Sequence, residues 1–331
     1  MSKVVRFNRT GGAEVLEFVD IEVTAPQEGE VQIGVKALGI NRAEIMYRNG
    51  AYVIDPVFPA KIGYEAAGDV TAVGGNVRDI KVGDRVAVIP AFSFAKYGMY
   101  GELVNAPAHA VVKMPDNITY EEAAATWMKF VTGYGALILM GGMSAGDTVI
   151  LGAASSSVGL AAIQLANMVG ATPIALTRSL DIEQNLKDAG AAHVFRSDDA
   201  ELPNKIRALT DGKGARLVFD PVGGPNAGAL FRAMAYDGIY YQYGALSPAD
   251  LPVPVMDVLS QHLTLRGYEL FEITEVPERL AAAKKLITEG LESGALKPVI
   301  DKVFDFADIS DAHRYMEAGN QIGKIVVKVS A

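Results

Sequence analysis

The segment Thr148-Val-Ile-Leu-Gly-Ala-Ala-Ser-Ser-Ser-Val-Gly-Leu-Ala-Ala-Ile-Gln-Leu-Ala166 constrains this chain most. It predicts a short buried strand from Thr148 to Leu151, a turn of very small residues, and an amphipathic helix. Where a strand enters a helix through such a turn, backbone N–H groups converge and favour an anion such as a dinucleotide pyrophosphate. The usual spacing is G-x-G-x-x-G. Counting back from Gly159 puts Ala154 and Ser156 at the first two glycine places. Both are small enough to admit a phosphate. Ala154, Ser155, Ser156, Ser157, Val158 and Gly159 are therefore candidate cofactor contacts. The plainer reading of the same letters is an ordinary strand–turn–helix.

The rest of the chain supplies a context for that turn. Residues 1 to 120 carry short β-type runs, such as Val31 to Ala37, Ala67 to Val73 and Asp84 to Ile89. Turn signals at Gly74-Gly75-Asn76 and Val82-Gly83-Asp84 separate them. This predicts an antiparallel, partly barrel-like β domain. Thr119-Tyr-Glu-Glu122 opens a helix as a capping box. Strands then alternate with helices. Strands are expected at Thr148–Leu151, Thr172–Leu176, Ala192–Phe195, Leu217–Asp220, Gly238–Gln242 and Thr264–Gly267. Helices are expected at Val158–Met168, Ile182–Ala189, Leu202–Leu209, Asn226–Ala233 and Val276–Ser293. The fold class is α/β, with a doubly wound parallel Rossmann-type sheet beside the β domain. The strand-like tail from Gln321 returns to the β domain. The division is 1–120 with 297–331 for a substrate domain and 121–296 for a dinucleotide-binding domain.

Composition narrows the chemistry. A formal net charge of -9 over 331 residues argues against nucleic acid and anionic membranes, which need a cationic footprint. With no cysteine, disulfides, cysteine-ligated zinc and a thiolate nucleophile are excluded. The apolar run from Phe130 to Met143 is broken by glycines and reads as a buried helix rather than a membrane span. No signal-peptide core precedes the first strand, so a cytoplasmic location is expected. His109, His193, His262 and His313 have no metal-ligand spacing and read as surface or loop residues.

Ligand contacts in a doubly wound sheet cluster at strand C-termini. The second strand is followed by Thr177, Arg178 and Ser179 in place of an acid. A 2′-phosphate prefers such a group, so NADPH is the expected cofactor. Asp181 is assigned to the next helix start. The fourth and fifth strands end in small residues. There Val222, Gly223, Tyr243, Gly244 and Ala245 are expected near a ribose and nicotinamide.

The ordered segments Gly39-Ile-Asn-Arg-Ala-Glu, Gly63-Tyr-Glu-Ala-Ala-Gly, Lys81-Val-Gly-Asp-Arg-Val, Thr132-Gly-Tyr-Gly-Ala, Ala153 to Gly159, Asp220-Pro-Val-Gly-Gly and Gly323-Lys-Ile-Val resemble the medium-chain dehydrogenase/reductase superfamily. The resemblance spans essentially the whole chain. It implies further cofactor contacts at Thr132 and Lys324, and a homodimer. Zinc members of that superfamily place ligands where this chain has Asn41, Tyr64 and Met128. An amide, a phenol and a thioether do not make the usual site. No metal is therefore expected, and the chain resembles the zinc-free quinone oxidoreductase-like branch. Tyr52, after Arg48 and Gly50, matches a tyrosine of that branch near the nicotinamide, whereas Met46 departs from its second tyrosine.

The resemblance implies hydride transfer to a quinone or activated enone, with charge appearing on a conjugated oxygen. Asn41, Tyr52 and Tyr64 are the candidate donors to that oxygen. Buried tyrosines that only satisfy a core hydrogen bond are the alternative for each. An enoyl-thioester reductase and an NADPH-binding sensor or structural protein with little turnover are the competing functions.

Overall fold

A computed structural model describes residues 1–329. Contacts divide the chain into two compact units: Met1–Met128, Pro277–Gly294 and Pro298–Ala331 form the first, and Lys129–Val276 with Ala295–Lys297 the second.

In the first unit, β1 (Ser2–Arg6) pairs antiparallel with β2 (Glu17–Ile21). The long β3 (Glu30–Ile40) then pairs antiparallel with β4 (Glu65–Val73) and with β6 (Leu103–Pro107). Between the latter two in sequence lies β5 (Arg85–Val88), which joins β4 to β7 (Val111–Lys113). Alternate residues of β3 are buried up to Ala37, as a half-buried strand requires; beyond it every residue is buried. Helix α1 (Arg42–Arg48) follows β3 directly. Helix α2 (Tyr120–Ala124) starts at the expected capping box: Thr119 Oγ1 accepts the Glu122 N–H at 3.2 Å, and Glu122 accepts the Thr119 N–H at 2.8 Å.

The expected helix over 130–143 divides. Helix α3 (Trp127–Gly133) runs into a π-helical segment, Tyr134–Met140, where Gly135 leaves room for Tyr268 and Ile273. The second unit then alternates strictly. Its elements are β8 (Thr148–Leu151), α4 (Ser157–Val169), β9 (Thr172–Thr177), α5 (Glu183–Asp188), β10 (His193–Arg196), α6 (Leu202–Leu209), β11 (Ala215–Asp220), α7 (Ala227–Arg232), β12 (Met234–Gln242), α8 (Val255–Gln261), β13 (Thr264–Gly267) and α9 (Phe271–Thr274). The strand order is β10-β9-β8-β11-β12-β13, all parallel. Chain direction across the sheet reverses between β8 and β11, the place where doubly wound sheets open a crevice. The core under α6 and α7 is aliphatic and aromatic, with Ile150, Ile174, Leu202, Val218, Phe231 and Tyr240 fully buried. The sequence reading missed α8. Val255, Met256 and Leu259 point outward there, which hides the amphipathic pattern.

Helix α10 (Pro277–Ser293) groups with the first unit, although the sequence division placed it in the second. Its Lys284 ammonium donates to the His109 carbonyl at 2.6 Å, and its Leu291 carbonyl accepts from Asn117 at 3.0 Å. The chain ends its described course with β14 (Ile300–Asp305), α11 (Ile309–Ala318) and β15 (Lys324–Lys328). Strand β15 is parallel to β14 and antiparallel to β3. No described helix is long and apolar enough to cross a membrane.

Candidate active site

After β8 the chain turns through Gly152 to Ser156. Ala153 adopts φ 44°, a left-handed conformation that glycine usually takes. The strained position therefore falls one residue before Ala154, where the spacing put the first glycine place. Ser156 caps α4, its Oγ accepting the Gly159 N–H at 3.1 Å. Among the described residues, the N–H groups of Ser155, Ser157 and Val158 find no protein acceptor. They stand at the positive end of a helix of 13 residues. Gly159 is required by a close approach: a Cβ there would lie 2.6 Å from Ala154 Cα.

At the end of β9 the three expected phosphate contacts separate. The Thr177 hydroxyl is buried and donates to the Ser179 carbonyl at 3.1 Å. Ser179 caps the short helix that follows, and its hydroxyl donates to the Asp181 carboxylate at 2.8 Å. Local turn geometry commits both hydroxyls as donors. Arg178 is exposed. Thr132 is buried in α3.

Asp220 organises the exits of β11 and β12. Its Oδ1 accepts from Val222 N at 2.9 Å, and its Oδ2 from Gly223 N at 2.9 Å and the Tyr240 hydroxyl at 2.6 Å. The N–H groups of Val222 and Gly223 are thus held internally. Burial, then the Asp220 charge, pushes the Tyr240 phenol well above its ordinary range. Gly244 and Ala245 follow Tyr243 in the next loop, where Gly244 accepts from Gln242 Nε2.

In the first unit an aromatic cluster surrounds Phe94. Tyr64 stacks on one side at 3.8 Å between centroids and Tyr47 at 4.5 Å. Tyr52 lies 6.1 Å from Phe94 and is half-buried, whereas Tyr64 is 1% exposed. Burial pushes the Tyr64 phenol far upward, and the Tyr52 hydroxyl within hydrogen-bonding reach adds to the shift.

Beneath Tyr64 lies a buried ionic network that sequence reasoning missed. The Lys324 ammonium donates to Asn41 Oδ1 and Glu65 Oε2. The Asn41 amide donates to Glu44 Oε1 and Glu65 Oε2, each at 3.1 Å. Glu44 also accepts the N–H groups of Asn41 at 2.7 Å and Tyr64 at 3.0 Å, and Glu65 accepts that of Met128 at 2.8 Å. Burial pushes Glu44 up to about 7, although Lys324 and three N–H donors favour its carboxylate. Asn41 was expected to donate to a substrate oxygen and Lys324 to touch the cofactor; in the structure both side chains hydrogen-bond within this network, and Lys324 is 1% exposed. Gly39 leaves the room for this, since a Cβ there would meet Lys324 Cε at 2.9 Å. The legible signal was Asn41-x-x-Glu44, a capping box read only as a family segment.

Residues 27–116 match the family described as alcohol dehydrogenase GroES-like domain, and 157–287 the family described as zinc-binding dehydrogenase. A quinone oxidoreductase of Pseudomonas aeruginosa is 31% identical over 329 residues, covering 99% of each chain. The chain belongs to the quinone oxidoreductase-like branch of the medium-chain dehydrogenase/reductase superfamily. Among solved structures, a mycobacterial protein complexed with NADPH is 31% identical, with TM-score 0.89 over 99% of this chain and 100% of that one. A protein described as an NAD-dependent alcohol dehydrogenase is 30% identical, with TM-score 0.90 over the full length of both.

The second family description names zinc, which this member of the quinone oxidoreductase-like branch does not fit at the expected place. The Asn41 side chain is saturated, the Tyr64 phenol is held protonated by burial, and the Met128 thioether is a soft, neutral donor. Among the described residues, no three His, Cys, Asp or Glu side chains gather as a metal cluster.

Proposed function

We propose that this protein is a zinc-independent NADPH-dependent oxidoreductase that reduces quinones or conjugated enones. The carrying observation is the set of N–H groups at Ser155, Ser157 and Val158, without protein acceptors at the start of α4. They fit a pyrophosphate, which brings both the charge and the acceptor oxygens that the turn lacks. Arg178, exposed at the next strand exit, supplies a charge partner for a 2′-phosphate. The bound nicotinamide would supply the hydride.

The chain's own contribution to chemistry lies in the first unit. Phe94, Tyr47 and Tyr64, stacked on one another and buried, would back the acceptor with a dry aromatic wall. Tyr52 is the half-buried member of that cluster and the donor best placed for the oxygen on which charge develops. Tyr64 stays protonated at any physiological pH and orients the Tyr52 hydroxyl. Asn41 and Lys324 act behind them, holding the floor. Two copies would pair along the sheet edge at β13, beside the exposed Tyr236, Val255, Met256 and Leu259.

NADPH oxidation measured against a quinone, an enal and an enoyl thioester tests this reading. Turnover is expected with the first two after exhaustive chelation of metal. Preference for the thioester would establish the alternative reductase, and binding without oxidation would establish a sensor. Tyr52→Phe should lower turnover roughly ten-fold with NADPH affinity kept, less than the full loss of a donor in a dry site because Tyr52 is partly solvated.

A further inference from the structure

Arg48 closes helix α1 with a guanidinium that is 0% exposed. Its Nε donates to the Gly11 carbonyl at 3.0 Å, and the Gly11 N–H returns to the Arg48 carbonyl at 3.1 Å. Nη1 donates to His313 Nδ1 at 3.1 Å. Nη2 donates to Asn49 Oδ1 at 3.1 Å and to the Glu317 carboxylate. His313 and Glu317 lie one turn apart on one face of α11. One buried cation therefore ties the end of α1 to the segment between β1 and β2 and to a second helix. Taking a guanidinium out of water costs several kcal/mol. Closing the helix does not require it. The Gly50 N–H already reaches the Tyr47 carbonyl at 3.1 Å and the Ala51 N–H the Met46 carbonyl at 2.8 Å, with Gly50 left-handed at φ 71°. What the cation adds is a fixed place for that helix end within the unit.

Tyr52 leaves from that end. Only Ala51 separates it from the left-handed Gly50. A Cβ on Gly50 would lie 3.0 Å from Thr10 Cγ2, next to the Gly11 that Arg48 holds. At the other end of α1, Arg42 donates to the Met316 carbonyl of the same α11 at 3.0 Å. Helix α1 is thus pinned at both ends to one platform. The Tyr52 ring meets Tyr47 edge-on at 6.4 Å and Phe94 at a tilt at 6.1 Å, whereas Tyr64 stacks on Phe94 at 3.8 Å. With no stacked neighbour to fix its ring, Tyr52 takes much of its aim from the backbone. That aim matters, since a donor displaced by about 1 Å forfeits a rate factor on the order of a hundred.

We propose that Arg48 is a positioning residue for Tyr52: by pinning the end of α1 to Gly11 and to α11, it aims the Tyr52 hydroxyl at the acceptor oxygen. The proposal rests on the reading of Tyr52 as donor given above. NADPH oxidation with a quinone, compared among wild type, Arg48→Met, Tyr52→Phe and the double variant, tests it. Arg48→Met should lower kcat roughly three- to ten-fold, no more than Tyr52→Phe does, because it acts through that hydroxyl. NADPH affinity by calorimetry should not change. In the Tyr52→Phe background, Arg48→Met should cost nothing further. An arginine that only holds the fold would lower kcat by the same factor in both backgrounds, since it depletes folded enzyme whatever stands at position 52. Equal factors would therefore overturn the proposal, and so would an unchanged kcat in Arg48→Met. Arg48→Lys keeps a cation without the fork, so part of kcat should return. It carries the same comparison if Arg48→Met fails to fold. A Tyr52→Phe enzyme as fast as wild type would remove the donor and overturn the proposal with it. A wild type inactive on every quinone and enone would instead bring down the proposed function, whereas an active wild type with equal factors brings down the positioning role alone.

Discussion

In the proposed reading Arg178 carries the cofactor choice almost alone, because the two hydroxyls beside it are tied into the local turn. A guanidinium paired with a 2′-phosphate contributes about 1.5–3 kcal/mol. Arg178→Ala should therefore weaken NADPH by roughly ten- to one hundred-fold and leave NADH nearly unaffected. Competition titrations with both cofactors check this, and equal losses would refute the assignment. The letters Thr-Arg-Ser mark a strand exit but not the hydrogen bonds made within it. Side-chain bonds over two residues, such as Ser179 to Asp181, decide which hydroxyl faces outward, and composition does not encode them. The Lys324 network was hidden for a different reason. Its members are far apart in sequence, and only the pairing of β15 with β3 brings them together.

Elements were more legible than side-chain roles. The period of two in β3 and the alternation of strand and helix after residue 148 follow from burial on one or both faces, and the β-strands of the second unit lie within a few residues of expectation. Helix α8 was illegible because its apolar residues face outward. The helix α4 start was legible in type but not in detail. The strained residue is Ala153, and the indispensable small residue is Gly159. Gly159→Ala should push α4 away from the turn, since the added Cβ falls 2.6 Å from Ala154 Cα. Overpacking of this kind costs about 1–3 kcal/mol. Melting should shift downward and NADPH binding should fall at least ten-fold. A variant that melts and binds like the wild type would show that the turn yields freely.

At the scale of the molecule, two buried groups of the first unit oppose each other in pH dependence. Burial raises Glu44 from 4.5 to about 7, so its contribution to stability is present below about pH 4.5 and lost as pH rises through about 7. Burial, and then Arg48, lowers His313 from 6.5 to about 3. Arg48 lies 3.1 Å from His313 Nδ1 and donates to it, which leaves Nε2 to donate to the Tyr100 hydroxyl. The His313 contribution is present above pH 6.5 and lost as pH falls toward 3. Between pH 5 and 6.5 the two slopes cancel. Glu44→Gln removes one of them, so the variant should gain stability relative to wild type as pH rises across that window, on the order of 2 kcal/mol. Urea unfolding at the two ends of the window measures it. Parallel pH profiles for variant and wild type would show that Glu44 does not titrate there.

The pairing of Ile40 with Ile325 has a consequence for synthesis. Nearly the whole chain separates β3 from β15, and the second unit lies between them. A ribosome therefore delivers all of β8 to β13 before the strand that covers one side of β3 exists. The parallel sheet gathers from one continuous stretch, while β3 waits with its backbone groups exposed and its Glu65–Asn41 floor lacking a cation. Nascent chains halted before residue 324 should hold a folded second unit and a first unit that still recruits chaperones.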